Sequence, residues 1–352
     1  MITSKNEGII LSPSSNHYET KGVLNPACVE IDGIVHMFYR AVSDDDVSTI
    51  GYCQLKDDEI IMRRHEPFMK PEYTFESMGL EDPRITYLDG LYYLIYTAYD
   101  GKNAAVAYAT ATPKKFPNFE KQGLITPNIR YHQAIAALVE LKLPVKYRLF
   151  EHLYEESRGD DILLWEKDIV LFPEKVNGKF CLMHRILPEM QIIYFSKFSD
   201  LTTDFWKKYL LNLDKNIILK PEYWYETRNI GGGCPPIKTP YGWLIIYHAV
   251  EDSSAGHIYR AGVALLDLKD PTVTLAHLPE PLFSPTFSYE KNGVVNNVVF
   301  PTSAFLSDGR LDIYYGAGDK VIAKRSLDLE KLLTTLRSCP PQGQKSLSNV
   351  TQ

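Results

Sequence analysis

Five times along the chain, a proline leads into an apolar run, a turn ending in glycine follows, and an aromatic run comes next. The first such segment joins Asn25-Pro26, Asp32-Gly33 and the run 35–40. The second joins Asp82-Pro83, Asp89-Gly90 and 92–96, and the third Phe172-Pro173, Asn177-Gly178 and 180–185. The fourth joins Pro235-Pro236, Tyr241-Gly242 and 243–248, and the fifth Phe300-Pro301, Asp308-Gly309 and 311–316. Asp-Gly and Asn-Gly between apolar runs favour tight hairpins, because both central residues of the turn take positive φ. A third β-like run follows, as at 49–53, 104–109, 261–266 and 321–323. Five multi-stranded units with short edges predict an all-β chain, a single five-bladed β-propeller domain over 1–352. A β-sandwich leaves the recurring proline-hairpin unit unexplained.

One stretch, 131–166, breaks the pattern. Around 146–157 the spacing is helical, with Tyr147, Phe150 and Tyr154 on one face and acids opposite. It reads as an inserted lid or a contact in a homo-oligomer, or else as an ordinary decorated loop. A short helix is expected at 326–333, and the polar tail from 339 to 352 is expected to be loose.

Composition narrows the class. Hydrophobic residues make up 45% and charged residues 23% of 352, enough for a full core. The net charge is -6 and Lys and Arg form no runs, which argues against nucleic acid as a partner. The cysteines at 28, 53, 181, 234 and 339 form no Cys-x-x-Cys pair, so buried thiols in a reducing compartment are expected. The N-terminus has no apolar leader core and no run is long enough to span a bilayer, so a cytoplasmic protein without a membrane partner is expected.

In a propeller, residues before the repeat prolines and after the second strands converge on one funnel. That would gather Asn25, Arg40, Asp82, Arg185, His248 and Asp319. The stretch Gly79-Leu80-Glu81-Asp82-Pro83-Arg84 is the strongest candidate for chemistry. The proline is expected to hold Asp82 in extended geometry, with Arg84 near enough to tune or hold a carboxylate. A rigid acid there suits protonation of a glycosidic oxygen; a salt-bridged surface turn is the plainer reading. Acids on offer are Asp82, Glu81 and Asp319, and cations are Arg40, Lys167, Arg185, Lys238 and His248. An inverting hydrolase needs two carboxylates. An inverting phosphorylase needs one, because phosphate is itself the nucleophile and wants a cationic cradle. The apparent excess of cations points to phosphate. Gly231-Gly232-Gly233 lacks the features of a nucleotide-binding loop and reads as a close backbone approach to a ligand or as a tight turn. No metal-ligand spacing or nucleophile elbow stands out, so no metal or cofactor is expected.

Taken together, several motifs resemble glycoside hydrolase family 130, the β-mannoside phosphorylases and related mannosidases. They are Leu24-Asn25-Pro26-Ala27, Phe38-Tyr39-Arg40, Gly79 to Arg84, Lys167-Asp168 with Leu171-Phe172-Pro173-Glu174, and His184-Arg185. Pro235-Pro236-Ile237 with Gly242-Trp243-Leu244, Tyr247-His248, Tyr259-Arg260-Ala261-Gly262 and Tyr315-Gly316-Ala317-Gly318-Asp319 complete the set. The resemblance implies a five-bladed propeller that phosphorolyses β-mannosides with inversion, giving α-mannose 1-phosphate, with inorganic phosphate as co-substrate. It implies that Asp82 is the general acid, acting through a hydroxyl of the bound mannose. Asn25, Arg40 and Asp319 would hold the mannose, with Glu81 and Tyr247 as further substrate contacts. Lys167, Arg185 and His248 would hold phosphate, with Asn229 beside them. Many phosphorylases of the family carry lysine where Asn229 stands here, after Arg228; asparagine donates a hydrogen bond but supplies no charge. Hydrolytic members gain carboxylates instead, and Glu226 lies close by in sequence. An inverting β-mannosidase and a non-catalytic sugar-binding propeller are the alternatives.

Overall fold

The computed structural model describes residues 2–138, 145–254 and 256–341. Each of the five repeat segments forms an antiparallel unit. The first consists of Gly22–Ile31, Ile34–Val42, Ser48–Lys56 and Glu59–Arg63. The second consists of Gly79–Leu88, Leu91–Tyr99, Ala104–Ala111 and Glu120–Leu124. The third is smaller: Val170–Leu171, Phe180–His184, Met190–Phe195 and Ile217–Leu219. The fourth joins Asn229–Gly232, Gly242–Ser253, Gly256–Leu266 and Thr274–His277, with Ile237–Thr239 also paired on Gly242–Ser253. The fifth runs Val299–Ser307, Arg310–Ala317 and Val321–Asp328, and its fourth strand is the N-terminal Lys5–Leu11. Units one and two share a sheet through one parallel pair, Ser48 with Gly79. Gly22–Ile31 packs on Gly79–Leu88 and also on Val299–Ser307, so contacts run from each unit to the next and from the fifth back to the first.

The hairpin signals hold. Asp32-Gly33, Asp89-Gly90, Asn177-Gly178 and Asp308-Gly309 all have positive φ at both residues, as the tight turn requires. Asp82, however, is not extended. Its φ is 48°, and that of Asn25 is 49°. The ladder slips at both places, between Glu81 and Arg84 and between Leu24 and Ala27. Proline offers no N–H, so a bulge forms and the residue before it leaves the ladder. Asp and Asn tolerate the left-handed region better than other side chains. The bulge, rather than an extended backbone, sets the pose of Asp82.

A second recurring device was not anticipated. Glu19, Glu76, Glu226 and Glu290 are fully buried. Each accepts the hydroxyl of a tyrosine on the second strand: Tyr39, Tyr96 and Tyr315 at 2.7 Å, and Tyr247. Each also meets a basic side chain: Arg63 at 2.9 Å, Lys121 at 2.7 Å, His277 at 3.1 Å and Arg325 at 2.8 Å. Small residues stand opposite those tyrosines on the third strand, at Gly51, Ala107, Gly262 and Ala323. In the third unit His184 takes the tyrosine's place, between Glu166 at 3.2 Å and the Tyr209 hydroxyl at 2.6 Å. The residues that follow Tyr39, His184 and Tyr247 are Arg40, Arg185 and His248.

The insertion contributes helices Tyr131–Leu138 and Lys146–Arg158. Tyr147 and Phe150 are buried as the spacing predicts, and Tyr154 stacks on Tyr131 and Trp165. Tyr131, Ile135 and Tyr147 share a hydrophobic cluster with Leu182 and Ile193 of the third unit and Trp206 of helix Thr203–Leu210. Residues 139–144 and the tail beyond Pro341 lie outside the described residues. The C-terminal helix is Leu329–Arg337, later than expected, because Val321–Asp328 runs on as strand and Asp328 caps the helix by accepting from the Lys331 amide at 3.0 Å. Cys28, Cys53, Cys181 and Cys234 are buried free thiols, and Cys339 is partly exposed. Among the described residues no helix is long and apolar enough to cross a membrane.

Candidate active site

The units bring their conspicuous polar residues to one cavity of about 210 Å³. Asn25 and Asp82 come from the two bulges, and Arg40, Arg185 and His248 come from or just after second strands. Lys167 and Asp168 precede the third unit's first strand, and Asp319 follows the fifth unit's second strand. Tyr259, Val295, Val298 and Phe300 complete the wall.

One group of contacts gathers around Asp82. Asn25 donates from Nδ2 to Asp82 Oδ1 at 2.7 Å, and Arg40 Nη1 lies 3.5 Å from the same oxygen. Behind them, Glu81 joins Arg40 at 2.8 Å to Lys167 at 2.6 Å. Arg84 does not touch the Asp82 carboxylate; it donates to the carbonyls of Asp82 at 3.0 Å, Pro83 at 3.1 Å and Gly233 at 2.6 Å. It therefore clamps the bulged backbone. Burial pushes the Asp82 carboxyl up, but Arg40, Lys167 and Arg84 outweigh it and hold the group below the usual carboxylate range. Asp319 differs. Burial pushes its carboxyl up to about 6 against the pull of Arg40. A Cβ on Gly316 would come 2.1 Å from Asn25 Oδ1, so the Asn25 side chain needs glycine there.

A second group gathers around Asp168, which is itself left-handed at φ 60°. Its Oδ2 lies 3.1 Å from Arg185 Nη1 and 3.9 Å from His248 Nε2, and its Oδ1 lies 3.9 Å from Arg84 Nη2. The Nε of Arg185 is buried and has no hydrogen-bond partner among the described residues. Burial pulls the His248 imidazole down to about 4, so it is neutral near pH 7. Its ring stacks on Phe300 with centroids 4.3 Å apart, and Nδ1 sits 3.3 Å from the Gly232 carbonyl. A Cβ on Gly231 would fall 2.4 Å from the His248 ring and 2.9 Å from Arg185 Cδ. One on Gly232 would fall 2.3 Å from the Asp168 carbonyl. Gly231 and Gly232 thus lie in a strand, Gly231 making room for the His248 and Arg185 side chains and Gly232 for the Asp168 backbone; they form neither a tight turn nor an open loop.

The sequence model of glycoside hydrolase family 130, described as β-1,4-mannooligosaccharide phosphorylase, matches residues 7–338. The chain belongs to glycoside hydrolase family 130. It is 32% identical over 335 residues to the 1,2-β-oligomannan phosphorylase of Thermoanaerobacter sp. (strain X514), covering 92% of this chain and 96% of that relative. Over 340 residues it is also 32% identical to the β-1,2-mannobiose phosphorylase of the same strain, with the same coverage. The solved structure of β-1,2-mannobiose phosphorylase from Listeria innocua, in complex with β-1,2-mannobiose, aligns with a TM-score of 0.70. That match covers 95% of this chain and 99% of the other at 24% identity, and it shows a common fold.

Seven of the residues singled out by the family 130 motifs line the cavity together: Asn25, Arg40, Asp82, Lys167, Arg185, His248 and Asp319. Glu81 lies behind the wall, between Arg40 and Lys167. Tyr247 does not reach the cavity. It is fully buried, and its hydroxyl is engaged by Glu226, by His277 at 2.7 Å and by Tyr225 at 3.1 Å. Asn229 is buried in strand pairing with Val250 and is not part of the wall. Glu226 is committed to the Glu222 amide at 2.7 Å and the Tyr223 amide at 3.1 Å as well as to Tyr247. Lys238 pairs with Glu174 on the surface. The expected excess of cations is corrected too: Arg40, Lys167 and Arg185 face Asp82, Asp168 and Asp319, three against three, with His248 neutral. Asp168, Tyr259 and Phe300 were missed. Asp168 stands next to Lys167 in one family motif, Tyr259 opens another, and Phe300 marks the fifth repeat proline, so all three were in view without a role.

Proposed function

We propose that this chain is an inverting β-mannoside phosphorylase, with inorganic phosphate as nucleophile and α-mannose 1-phosphate as product. The five units would then be the blades of a five-bladed propeller around the cavity. Relatives named for β-1,2-linked substrates make β-1,2-mannosides the first to try. The observation that carries the reading is the buried Nε of Arg185, without a hydrogen-bond partner among the described residues, beside neutral His248 and in the same cavity as Asp82. A guanidinium edge with an idle donor is a site for a tetrahedral oxyanion.

In this reading Asn25, Arg40 and Asp319 hold the mannose, and Asp82 delivers a proton to the leaving oxygen through a mannose hydroxyl. Asp82 is ionised in the free cavity, because three cations hold its carboxyl low. A phosphate dianion entering that cavity raises the carboxyl's proton affinity. The co-substrate thereby helps make Asp82 an acid. The protons balance: Asp82 takes up a proton as phosphate enters, the phosphate oxygen bonds to the anomeric carbon as the glycosidic C–O bond breaks, the departing alcohol keeps the proton that Asp82 gives, and hydrogen phosphate releases its own in exchange. Asp82 ends as it began.

Asp168 supports a second reading, inverting hydrolysis, because it gives the cavity a further carboxylate that could activate water. Its ion pair with Arg185 is against it. Digestion of linkage-defined β-mannosides with and without phosphate decides. Phosphorolysis requires phosphate and yields mannose 1-phosphate; equal release of free mannose without phosphate overturns it. Asp82→Asn should lower kcat by about 10²-fold or more while leaving the protein folded.

A further inference from the structure

We propose that Asp168 makes the cavity select a protonated oxyanion, so that it takes hydrogen phosphate and rejects anions of the same shape that carry no proton. The inference rests on the phosphorolytic reading above. The Asp168 side chain is 3% exposed, yet it forms part of the cavity wall. Its position is fixed twice over. Arg185 holds Oδ2 at 3.1 Å, and the Asp168 carbonyl packs where any side chain on Gly232 would collide. An ionised carboxylate only accepts hydrogen bonds.

An anion drawn to the free Nε of Arg185 therefore meets donors on one side and a fixed acceptor on the other. His248 is neutral and can present either a donor or a lone pair, and the Tyr259 hydroxyl can rotate, so neither imposes a requirement. Asp168 does. Sulfate near neutral pH has only acceptors, and facing a buried carboxylate with acceptors leaves both groups unsatisfied. Hydrogen phosphate has the same size and charge and one P–OH. That hydroxyl can donate to Asp168 while the other three oxygens accept from Arg185 and its neighbours. A carboxylate inside an anion site, which looks adverse by charge alone, thus becomes the element that tells phosphate from sulfate.

The experiment uses the intact enzyme and three probes: phosphate, sulfate and monofluorophosphate. The last has the shape and charge of hydrogen phosphate but no proton to donate. Binding is measured by calorimetric titration, and inhibition of phosphorolysis by sulfate and monofluorophosphate is measured alongside. In the wild type, phosphate should bind about 10-fold or more tightly than either of the others, the size of a buried hydrogen bond to a charged group. In Asp168→Asn, whose amide offers a donor, that ratio should fall towards one, with the melting temperature reporting whether the variant folds. If it does not fold, the comparison of phosphate with monofluorophosphate on the wild type still decides. Equal binding of all three probes to the wild type overturns the selection while leaving phosphate dependence intact. A selective wild type with an equally selective, folded Asn variant removes Asp168 from the role. Cleavage indifferent to phosphate overturns the phosphorolytic reading itself.

Discussion

A side chain that gives up a proton must first hold one, and Asp82 is poorly placed to do so alone. Arg40 is the strongest of the cations that lower its carboxyl. Its Nη1 lies 3.5 Å from the same oxygen that accepts from Asn25. Removing that charge should raise the carboxyl's pKa, so the protonated, competent form persists to higher pH. Arg40→Gln should therefore move the alkaline limb of the kcat/KM profile upward at fixed phosphate, even as the mannoside KM rises. A limb that stays in place would mean that the profile does not report Asp82. His248 illustrates why such states are hard to read from sequence. Its sequence position groups it with the cations, yet burial holds it neutral, with a pKa of about 4. Its place at the end of a repeat run was legible; its protonation depends on how deeply other units cover it, which local pattern does not state. Tyr247 failed for a related reason, since neighbours along a strand face opposite ways. His248 looks into the cavity and Tyr247 looks into the packing between strands.

The same alternation builds the recurring glutamate device at the scale of the unit. Its spacing lies in the chain, with the glutamate preceding its tyrosine by 20, 20, 21 and 25 residues. The prolines and glycine turns were the louder signal and hid it. Glu226 lies near the site in sequence, but a carboxylate that caps a turn and holds a tyrosine is not free to reach a substrate. The fourth unit also differs from the first, second and fifth in a way that can be measured. Where those place Arg63, Arg325 or Lys121 against the glutamate, it places His277. Burial pulls the His277 pKa down, but Glu222 at 3.3 Å and Glu226 at 3.1 Å outweigh it and raise it above its ordinary value. The Tyr223 ring meets it edge-on and the Tyr247 hydroxyl lies 2.7 Å from its Nε2. A histidine with a raised folded pKa contributes stability fully below its unfolded value, about 6.5, and loses it as pH climbs through the folded value. His248 has the opposite sign: its contribution is present above about 6.5 and fades as pH falls towards 4. His277→Gln should therefore cost more melting temperature at pH 6 than at pH 9, in thermal unfolding followed at both. An equal loss at the two values would show that the imidazole is not charged in the folded protein.

For the whole molecule, the five repeats were legible because each unit carries its own proline, turn and aromatic run. The way the chain ends meet was not, because Lys5–Leu11 has neither proline nor hairpin and its partner lies at the far end of the sequence. It supplies the fourth strand of the fifth unit, pairing Lys5 with Ser326 and Leu11 with Ile322. Side chains reinforce the seam. The Ser326 hydroxyl donates to Glu7 at 2.5 Å, the Tyr289 hydroxyl donates to Asn6 at 2.8 Å, and Leu11 is buried. Few large apolar groups hold this strand, so its contribution comes mainly from the ladder and these polar contacts. Deleting residues 2–11 removes a handful of backbone bonds at about 1 kcal/mol each, a loss of about 3 kcal/mol or more. It also bares the edge of Val321–Asp328, a template for pairing with another chain. The truncated protein should melt earlier and self-associate in size-exclusion chromatography. Its kinetics should shift unevenly. Asp319 sits in the turn that feeds Val321–Asp328, whereas Arg185 and His248 belong to the third and fourth units. The KM for the mannoside should therefore rise several-fold while the KM for phosphate moves less. A truncated chain that melts like the full one would show that the five units hold together without Lys5–Leu11.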